Sequence, residues 1–240
     1  MGSTTEQTPW LAEGEEKRRF VRDMFADIAP SYDLLNDLMC FRLHHKWRKA
    51  AVRAVELREG DSALDVCCGT GDFLGPLRSA VGAQGRVVGT DFCPPMLAKA
   101  RDKFKSAQLS VGDTCVLPIR NESFNAVTVG WGLRNVPDVS LALHEVVRVL
   151  KPGGRFVTVD MARPRSKFVG RMSEFTFHSV VPLLGRVFGK SKAYTYLPKS
   201  AERFMSREEL SDAMRTAGLS DVRTKDFFLG NICMHWGVKP

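Results

Sequence analysis

The first part of the chain has the spacing of amphipathic helices. Five apolar residues recur along one helical face before a proline that ends the helix: Phe20, Val21, Met24, Phe25, Ile28 and then Pro30. A second helix is predicted at about residues 43–57, where apolar residues repeat at the same period. We expect the two helices to form an N-terminal helical cap over residues 15–57, preceded by a flexible leader at residues 1–14.

From residue 62 onwards, short apolar segments alternate with helical ones. Strands are predicted in chain order at about residues 62–66, 86–90, 108–111, 124–129, 155–159, 219–225 and 231–237. The helices between the first five strands predict parallel connections, whereas the short interval between the last two predicts an antiparallel hairpin at the sheet edge. The pattern therefore indicates an α/β fold, with residues 15–240 in a single domain.

Residues 163–204 interrupt this alternation. Phenylalanine, leucine and valine residues lie there among scattered lysines and arginines, without the turn residues expected between a strand and a helix. We interpret the segment as a helical insert, or lid, over the ends of the strands. The alternative is a helical pair that packs only on its own domain.

A glycine-rich turn follows the first predicted strand. Asp65 lies at the end of that strand, and Gly69, Thr70 and Gly71 come before the next helix. Glycines let the backbone approach a ligand closely, and the free N–H groups of a helix N-terminus favour a carboxylate or phosphate. Taken alone, the turn is equally compatible with a tight connection that binds nothing.

Two further acids favour the interpretation of this turn as part of a ligand site. Asp91 follows the second strand, and Asp113, beside Thr114, follows the third. Because the carboxyl ends of parallel strands meet at one edge of a sheet, these acids share a site with Asp65. Asp65 suits an ammonium group, Asp91 a ribose diol and Asp113 an exocyclic amine, although each alone also suits a turn or a helix cap. Together they indicate S-adenosylmethionine, and a dinucleotide is disfavoured because Leu74 stands where a third glycine is needed.

Composition says more about the partners and cellular location of the protein than about the reaction it performs. The 240 residues carry 35 Lys and Arg against 27 Asp and Glu, a formal net charge of +8. This charge favours nucleic acid or an anionic membrane surface as a neighbour, and a solvated basic surface without a partner is the alternative. The six cysteines have no metal-ligand spacing, so we predict reduced thiols and no metal. No apolar stretch has the length of a membrane span, and we expect a cytoplasmic protein.

Several motifs resemble the seven-strand class I methyltransferases and, within them, the UbiE/MenG quinone C-methyltransferases. The resemblance runs from about Phe25 to the C-terminus and is most specific at Gly132-Leu133-Arg134-Asn135-Val136, after the fourth strand. Other matching segments are residues 29–33, Asn36-Asp37, His44, Trp47, residues 150–154 and residues 235–240. The chain departs from the family pattern at Cys40, Arg42, Cys67 and Gly130, the last standing where a cofactor-contacting serine is common. The insert also departs from it, since residues 175–178 lack the tyrosines usually found there.

The resemblance implies a Rossmann-like seven-stranded sheet that binds S-adenosylmethionine and methylates a ring carbon of a prenylated quinol. The cofactor-binding residues would be Tyr32, Asp65, Gly69, Thr70, Gly71, Asp91, Asp113, Thr114 and Gly130. The catalytic residues would be Arg134, as an electrostatic clamp that also orients water, with Asn135 and Asp33. Tyr32, His44 and His178 are further candidates for a catalytic role. The alternative role for Arg134 is an ordinary salt bridge.

Demethylmenaquinol is the preferred acceptor, and the alternatives are a ubiquinone-pathway benzoquinol or another small aromatic or lipid molecule. An RNA methyltransferase is disfavoured because the fourth strand ends in Gly130-Trp131-Gly132, not in an amine-binding motif. A non-catalytic cofactor-binding subunit is disfavoured by the presence of Arg134 and Asp33. The expected partners are a lipophilic quinol and, through cations such as Lys167 and Arg171, an anionic membrane surface. No nucleic acid is expected, and a homodimer is left open.

Overall fold

The apolar segments predicted as strands enter one sheet. In the computed structural model, which describes residues 14–175 and 191–240, the strands are β1 (Ser62–Val66), β2 (Arg86–Asp91), β3 (Gln108–Val111), β4 (Phe124–Gly130), β5 (Leu150–Met161), β6 (Ser220–Phe227) and β7 (Ile232–Val238). Their order across the sheet is β3-β2-β1-β4-β5-β7-β6. β7 runs antiparallel to both neighbours and the other pairs are parallel, so the predicted fold class is confirmed.

The strand order places a ligand site beside β1. The chain moves outwards from β1 through β2 to β3 and then returns to β4 on the other side of β1. At such a reversal the loops after two neighbouring strands diverge and leave a crevice at their carboxyl ends. The glycine-rich turn after β1 and the segment after β4 therefore border the same crevice.

Nine helices of eight residues or more surround the sheet within the described residues. They are α1 (Gly14–Ile28), α2 (Tyr32–Met39), α3 (Leu43–Ala54), α4 (Leu74–Val81), α5 (Pro94–Lys103), α6 (Val139–Val149), α7 (Lys167–Phe175), α8 (Ser191–Arg203) and α9 (Arg207–Thr216). Two 3-10 turns cover Leu133–Asn135 and Phe228–Gly230. α2 was not predicted, because its mixed polarity hides a helix with one buried residue, Leu35.

One segment with the composition of a turn belongs to a strand. Lys151-Pro152-Gly153-Gly154 is typical of a helix stop followed by a turn, yet β5 already begins at Leu150. The backbone N–H of Gly153 donates to the carbonyl of Lys239 at 2.8 Å, and that of Lys239 to the carbonyl of Gly154 at the same distance. Pairing with the end of the chain thus extends β5 through a Pro-Gly-Gly sequence that would turn in isolation.

The sheet is covered on both faces. Leu64 and Val66 of β1 belong to the core shared with α6 and α9, whereas Ala63 belongs to the core shared with α3 and α4. Because side chains alternate along a strand, Asp65 lies on the Ala63 face, the side that α3 covers. Asp65 and the residues of α3 that cover this face therefore lie on the same side of the sheet.

The N-terminal helices and α8 meet over one end of the sheet. Val21, Met24 and Ile28 of α1 share an apolar cluster with Ala193 and Tyr196 of α8. The division into leader, cap and insert stays a prediction. Residues 1–13 and 176–190, with His178 among them, lie outside the described part of the chain. Within residues 14–175 and 191–240, no helix combines the length and apolar character needed to cross a membrane.

A capping box begins α9. Ser206 accepts a hydrogen bond from the backbone N–H of Glu209 at 3.2 Å, and the Glu209 carboxylate accepts one from the backbone N–H of Ser206 at 2.8 Å. These two bonds satisfy donors that the first turn of a helix otherwise leaves without a partner.

We expect Ser206→Ala to lower the free energy of unfolding by about 1 kcal/mol, since one of the two capping bonds is lost. In a protein of this size that loss corresponds to a fall in Tm of roughly 2–4 °C, measurable by calorimetry. Ser140→Ala, in the first turn of α6 and exposed, is the matched control and should leave Tm unchanged. Equal Tm values for the two variants would contradict a capping role.

Candidate active site

A cleft of about 590 Å³ opens at the carboxyl ends of the strands. Seven of the predicted site residues line it: Tyr32, Gly69, Asp91, Asp113, Thr114, Gly130 and Asn135. Apolar side chains complete its walls, among them Phe25, Phe92 and Met96. Acids and apolar surfaces side by side suit a nucleoside, whose ribose and base need hydrogen bonds at their edges and packing on their faces.

A smaller pocket adjoins the cleft and shares several lining residues with it, including Tyr32 and Gly69. Its other walls carry charged and polar groups, namely Arg48, Asp65, Thr70 and Asp72. A cation beside carboxylates suits an amino-acid end, because the ammonium and carboxylate of such a group need opposite charges. The two pockets together therefore have the chemistry of a nucleoside joined to an amino acid.

The turn after β1 has an unusual backbone. Cys67 and Gly69 both have a φ of 54°, and Gly71 has a φ of 87°. Glycine adopts these left-handed angles without strain, whereas Cys67 does so in a position where many methyltransferases have glycine. The Cys67 thiol lies 3.1 Å from the Thr114 hydroxyl, which ties the turn to the end of β3.

Gly71 is the one predicted cofactor residue that lines neither pocket. A Cβ built there would lie 2.8 Å from Leu74, so the position needs glycine for packing as well as for its φ. Gly130 does line both pockets. A Cβ there would lie 2.7 Å from the Phe73 ring, so the serine of the family pattern would require Phe73 to move.

Asp91 organises the turn after β1. One carboxylate oxygen accepts from the backbone N–H of Gly69 at 2.8 Å, and the other accepts from that of Cys93 at 2.9 Å. Burial raises the pKa of Asp91 to about 6, although these backbone hydrogen bonds work in the opposite direction. The side chain is thus mostly ionised at neutral pH, where it can accept from hydroxyl groups.

Asp65 is almost fully buried, with 1% of its surface exposed. The hydroxyl of Thr128, on neighbouring β4, donates to it at 2.6 Å. Burial raises the pKa of Asp65 to about 8, and Thr128 and Arg48 offset only part of that rise. A cationic ligand in the smaller pocket would favour the ionised carboxylate, which matches the ammonium role predicted for Asp65.

Asp113 is paired with a residue that the sequence did not indicate. Its carboxylate accepts from the guanidinium of Arg18 on α1 and, at 2.9 Å, from the backbone N–H of Cys115. The neighbouring Lys17 donates to the carbonyl of Val136 at 2.7 Å. α1 is therefore attached to both sides of the cleft, and Arg18 is one of its lining residues. Only the tertiary fold shows this, because 95 residues separate Arg18 from Asp113.

Asp33 lies at the turn after β1. It accepts from the Thr70 hydroxyl at 2.5 Å and from Lys103 at 2.9 Å, and Lys103 also donates to Asp72 at 2.9 Å. Lys103 of α5 thereby joins α2 to the cofactor turn. Asp33 is not among the described residues that line either pocket, so its predicted catalytic role stays a prediction.

Arg48 of α3 is a second residue that the sequence did not indicate. It is buried, lies 3.3 Å from the Asp72 carboxylate and stacks 4.6 Å from the centre of the Trp131 ring. Burial of Asp72 acts to raise its pKa, but Arg48 and Lys103 together lower it. The signal that could have found it is its position beside Trp47 and Ala51 on the apolar face of the predicted helix, since an arginine placed there is seldom buried without a partner.

Arg134 and Asn135 lie together in the 3-10 turn after β4, and both are buried. Arg134 forms an ion pair with Asp160 of β5 and is not among the lining residues of the cleft. Asn135 donates to the carbonyl of Trp131 at 3.0 Å and accepts from the hydroxyl of Tyr196 at 3.2 Å. The salt bridge weighed as an alternative for Arg134 is therefore present, and α8 contacts the site through Tyr196.

One cluster within the described residues has the composition of a metal site. Asp37, His44 and His45 present ligand atoms within 4.8 Å of one another. Arg48, which can only donate, contacts Nδ1 of His44, so the proton of the neutral ring is on Nε2 and faces Asp37 at 2.9 Å. Burial and Arg48 both lower the pKa of His44. We therefore interpret the cluster as a hydrogen-bonded support between α2 and α3.

The chain matches a known protein family over nearly its whole length. Residues 12–239 match the model of the ubiE/COQ5 methyltransferase family. The chain belongs to this family. Membership confirms the predicted methyltransferase activity and, with it, S-adenosylmethionine as the cofactor.

Relatives match over nearly the whole chain. The demethylmenaquinone methyltransferase of Desulfitobacterium hafniense is 40% identical over 234 residues, which are 95% of this chain and 92% of that protein. The enzyme of the same name from Shouchella clausii is 39% identical over 236 residues, covering 96% of this chain and all of that one. The alignments therefore leave no large part of either protein unmatched.

Solved structures support the fold. A SAM-dependent methyltransferase from Thermotoga maritima has a TM-score of 0.66 at 23% identity and covers 92% of this chain and all of its own. Haemonchus contortus phosphoethanolamine N-methyltransferase 2 has a TM-score of 0.60 at 14% identity, covering 81% of this chain and 52% of that one. At these identities the likeness concerns the fold alone.

We expect Asp65→Asn to stabilise the ligand-free protein at pH 8 by about 1 kcal/mol or more, because an ionised carboxylate no longer has to be buried. The folded-state pKa is raised from 3.8 to about 8, so the unfolded state releases its proton first as pH rises. The gain should therefore grow from about pH 4 to about pH 8. Thermal unfolding across that range measures it.

The control is Asp102→Asn, at an exposed position of α5. It should show no such trend with pH. The same Asp65→Asn protein should bind S-adenosylmethionine more weakly in calorimetric titration, since the counter-charge for the ammonium is lost. A gain in stability that does not vary with pH would show that Asp65 is not the titrating group.

Proposed function

We propose that the enzyme transfers a methyl group from S-adenosylmethionine to a ring carbon of a prenylated quinol, with demethylmenaquinol as the acceptor. Relatives named demethylmenaquinone methyltransferase match at about 40% identity over 95% of the chain, which supports the acceptor. The observation that carries the proposal is this match over nearly the whole chain. The adjoining pockets, in which acids from three strand ends accompany a cationic and acidic subsite, support the cofactor half of the reaction.

The cofactor supplies an already activated methyl group, so the protein's contribution is orientation and charge. Asp91 and Asp113 would hold the nucleoside, and Asp65 with Arg48 the amino-acid end. The sulfonium would then lie near Gly69 and Gly130, where the two pockets meet. An acceptor ring placed in line with the methyl group gains most of its rate from this alignment.

Ring activation would depend on the segment after β4. Loss of the phenolic proton makes the neighbouring ring carbon electron-rich, and a nearby cation stabilises the phenolate. Only Nη1 of Arg134 has a hydrogen-bond acceptor among the described residues, and its Nε is buried without one. Arg134 would use its remaining donors to stabilise the phenolate or orient a water, while Asn135 positions the turn.

The proposed location of the enzyme in the cell follows from the acceptor. A quinol with a long isoprenoid tail resides in a bilayer, so the enzyme would work as a cytoplasmic protein at the inner face of the membrane. Lys167 and Arg171 of α7 are exposed cations suited to anionic headgroups. Nucleic acid is not an expected partner, and a homodimer is compatible with the proposal.

Labelled S-adenosylmethionine offered with reduced demethylmenaquinols, demethoxy-type benzoquinols and RNA would test the proposal. Label transferred to the ring of the demethylmenaquinol supports it. Preference for the benzoquinol would move the enzyme to the ubiquinone pathway, and transfer to RNA would replace the quinol altogether. A protein that binds the cofactor but methylates no reduced quinone would disprove the proposal.

Asp91→Ala should weaken S-adenosylmethionine binding by about 100-fold, since two charge-assisted hydrogen bonds to the ribose are lost together with the order of the Gly69 turn. Calorimetric titration measures the affinity. Asp102→Ala, at an exposed position on α5, is the matched control and should bind normally. Unchanged affinity of Asp91→Ala would remove Asp91 from the cofactor site.

Arg134→Lys should lower kcat by about tenfold or more and change the Kd of S-adenosylmethionine by less than about twofold. Lysine keeps a positive charge beside Asp160, so the fold is preserved, but it lacks the planar fork that serves two acceptors at once. Single-turnover kinetics and cofactor titration separate the two effects.

Arg148→Lys provides the control, because Arg148 also forms an ion pair, with Glu145 at 2.6 Å on α6. It should leave kcat unchanged. Normal turnover of Arg134→Lys would mean that the ring is activated by another group.

A further inference from the structure

Exposed apolar side chains lie along α2 and just beyond its end. Leu34 and Leu38 are 63% and 47% exposed, and their spacing of four residues places them on one face of the helix. Phe41, two residues after the end of α2, is 74% exposed. Another face of the helix packs on the protein through the buried Leu35. Large apolar residues at such exposure indicate a surface that contacts something other than water.

A second exposed apolar group lies at the turn between β6 and β7. Phe228 is 48% exposed and Leu229 is 73% exposed. β6 runs parallel to the central strands, because β7 is antiparallel to both β5 and β6. The turn therefore lies at the carboxyl edge of the sheet, the same edge as the cofactor cleft.

Both groups have a strained backbone. Phe41 and Arg42 have φ values of 48° and 59°, and Phe228 and Leu229 have values of 48° and 56°. Bulky residues rarely adopt these left-handed angles, at a cost of about 1 kcal/mol or more each. Burial does not offset this cost, since the side chains are exposed. An apolar contact made outside the chain would offset it.

The two groups both adjoin α3. Phe41 stands two residues before α3, and Trp47 of α3 has its ring 6.0 Å from that of Phe228. A Cβ on Gly230 would lie 3.5 Å from Pro164, so the turn also abuts the segment that leads into α7. We name Leu34, Leu38, Phe41, Phe228 and Leu229 the apolar rim.

Cations accompany the apolar rim. Lys46 and Lys225 are exposed close to its members in the chain. Three acids lie within two residues of those members, and each is paired with a cation. Asp33 accepts from Lys103 at 2.9 Å. Asp37 accepts from Arg42 at 2.6 Å, and Asp226 accepts from Arg165 at 3.1 Å and from Arg207 at 2.7 Å. Exposed apolar residues with cations around them match the interface of an anionic bilayer, where apolar side chains enter the acyl boundary and cations meet the headgroups.

We propose that the apolar rim docks the enzyme onto an anionic lipid bilayer, with the carboxyl edge of the sheet and its cleft turned towards the membrane. The inference rests on the proposed function, because a lipid-borne acceptor would then reach the cleft without leaving the bilayer. It also assigns the contact to α2 and the β6–β7 turn, beyond the insert and its cations.

The test compares the wild-type protein with Phe41→Asn/Leu229→Asn in flotation with vesicles of phosphatidylcholine, with and without about one-third phosphatidylglycerol. Asparagine tolerates left-handed φ values, so the substitutions relieve strain and preserve the fold. Binding of the double variant to the anionic vesicles should fall by about tenfold or more. Leu141→Asn, at a 53% exposed position on α6, is the control and should bind as the wild type does.

Two activity measurements accompany the binding. With a short-tailed, water-soluble quinol the double variant should turn over normally, because neither residue lines the cleft. With a long-tailed quinol held in vesicles its rate should fall in step with binding. If no quinol is methylated by any variant, the proposed function fails, while the vesicle binding still tests the docking surface by itself.

Three results would overturn the docking proposal. The wild-type protein could fail to bind anionic vesicles, or the double variant could bind them equally well. Alternatively, sedimentation could show a wild-type dimer that the double variant loses, which would assign the apolar rim to contact between two copies of the chain.

Discussion

The burial of acidic groups at the carboxyl ends of β1 and β2 is the constraint on which the site depends. Asp65 and Asp91 have their pKa values raised to about 8 and about 6 by burial. Keeping such groups in the fold without a cationic partner costs stability, and a ligand with an ammonium and hydroxyl groups returns part of it. The turn after β1 depends on the same groups, since Asp91 holds the backbone of Gly69.

The helices that cover the sheet are attached to this acidic edge through cations. Arg18 reaches Asp113, Lys103 reaches Asp33 and Asp72, and Arg48 reaches Asp72. Arg18 and Arg48 join α1 and α3 to loops at the cleft and its adjoining pocket, and Lys103 joins α5 both to α2 and to the turn after β1. A ligand that alters the charge at these loops would therefore act on the helices attached to them.

Local sequence patterns predicted most strands and helices, but not the ion pairs between residues that are distant in sequence. The bounds of β1 and β3 agree with the sequence because each is a short apolar run between turn residues. α2 was missed because its exposed face is apolar, which removes the contrast on which helical periodicity depends. Arg18 and Asp160 were missed for another reason. Their partners, Asp113 and Arg134, are distant in sequence, and no local pattern records which distant charges meet.

The ion pair between Arg134 and Asp160 contributes less to stability than its burial suggests. Desolvation offsets most of the attraction in a buried pair, and apolar replacements are often as stable. Burial raises the pKa of Asp160 even though Arg134 counteracts it, and one oxygen of its carboxylate has no partner among the described residues. Nε of Arg134 is likewise buried without an acceptor among them. Under the proposed function, an oxygen of the acceptor or of an ordered water would accept from the guanidinium and complete the hydrogen bonding of Arg134.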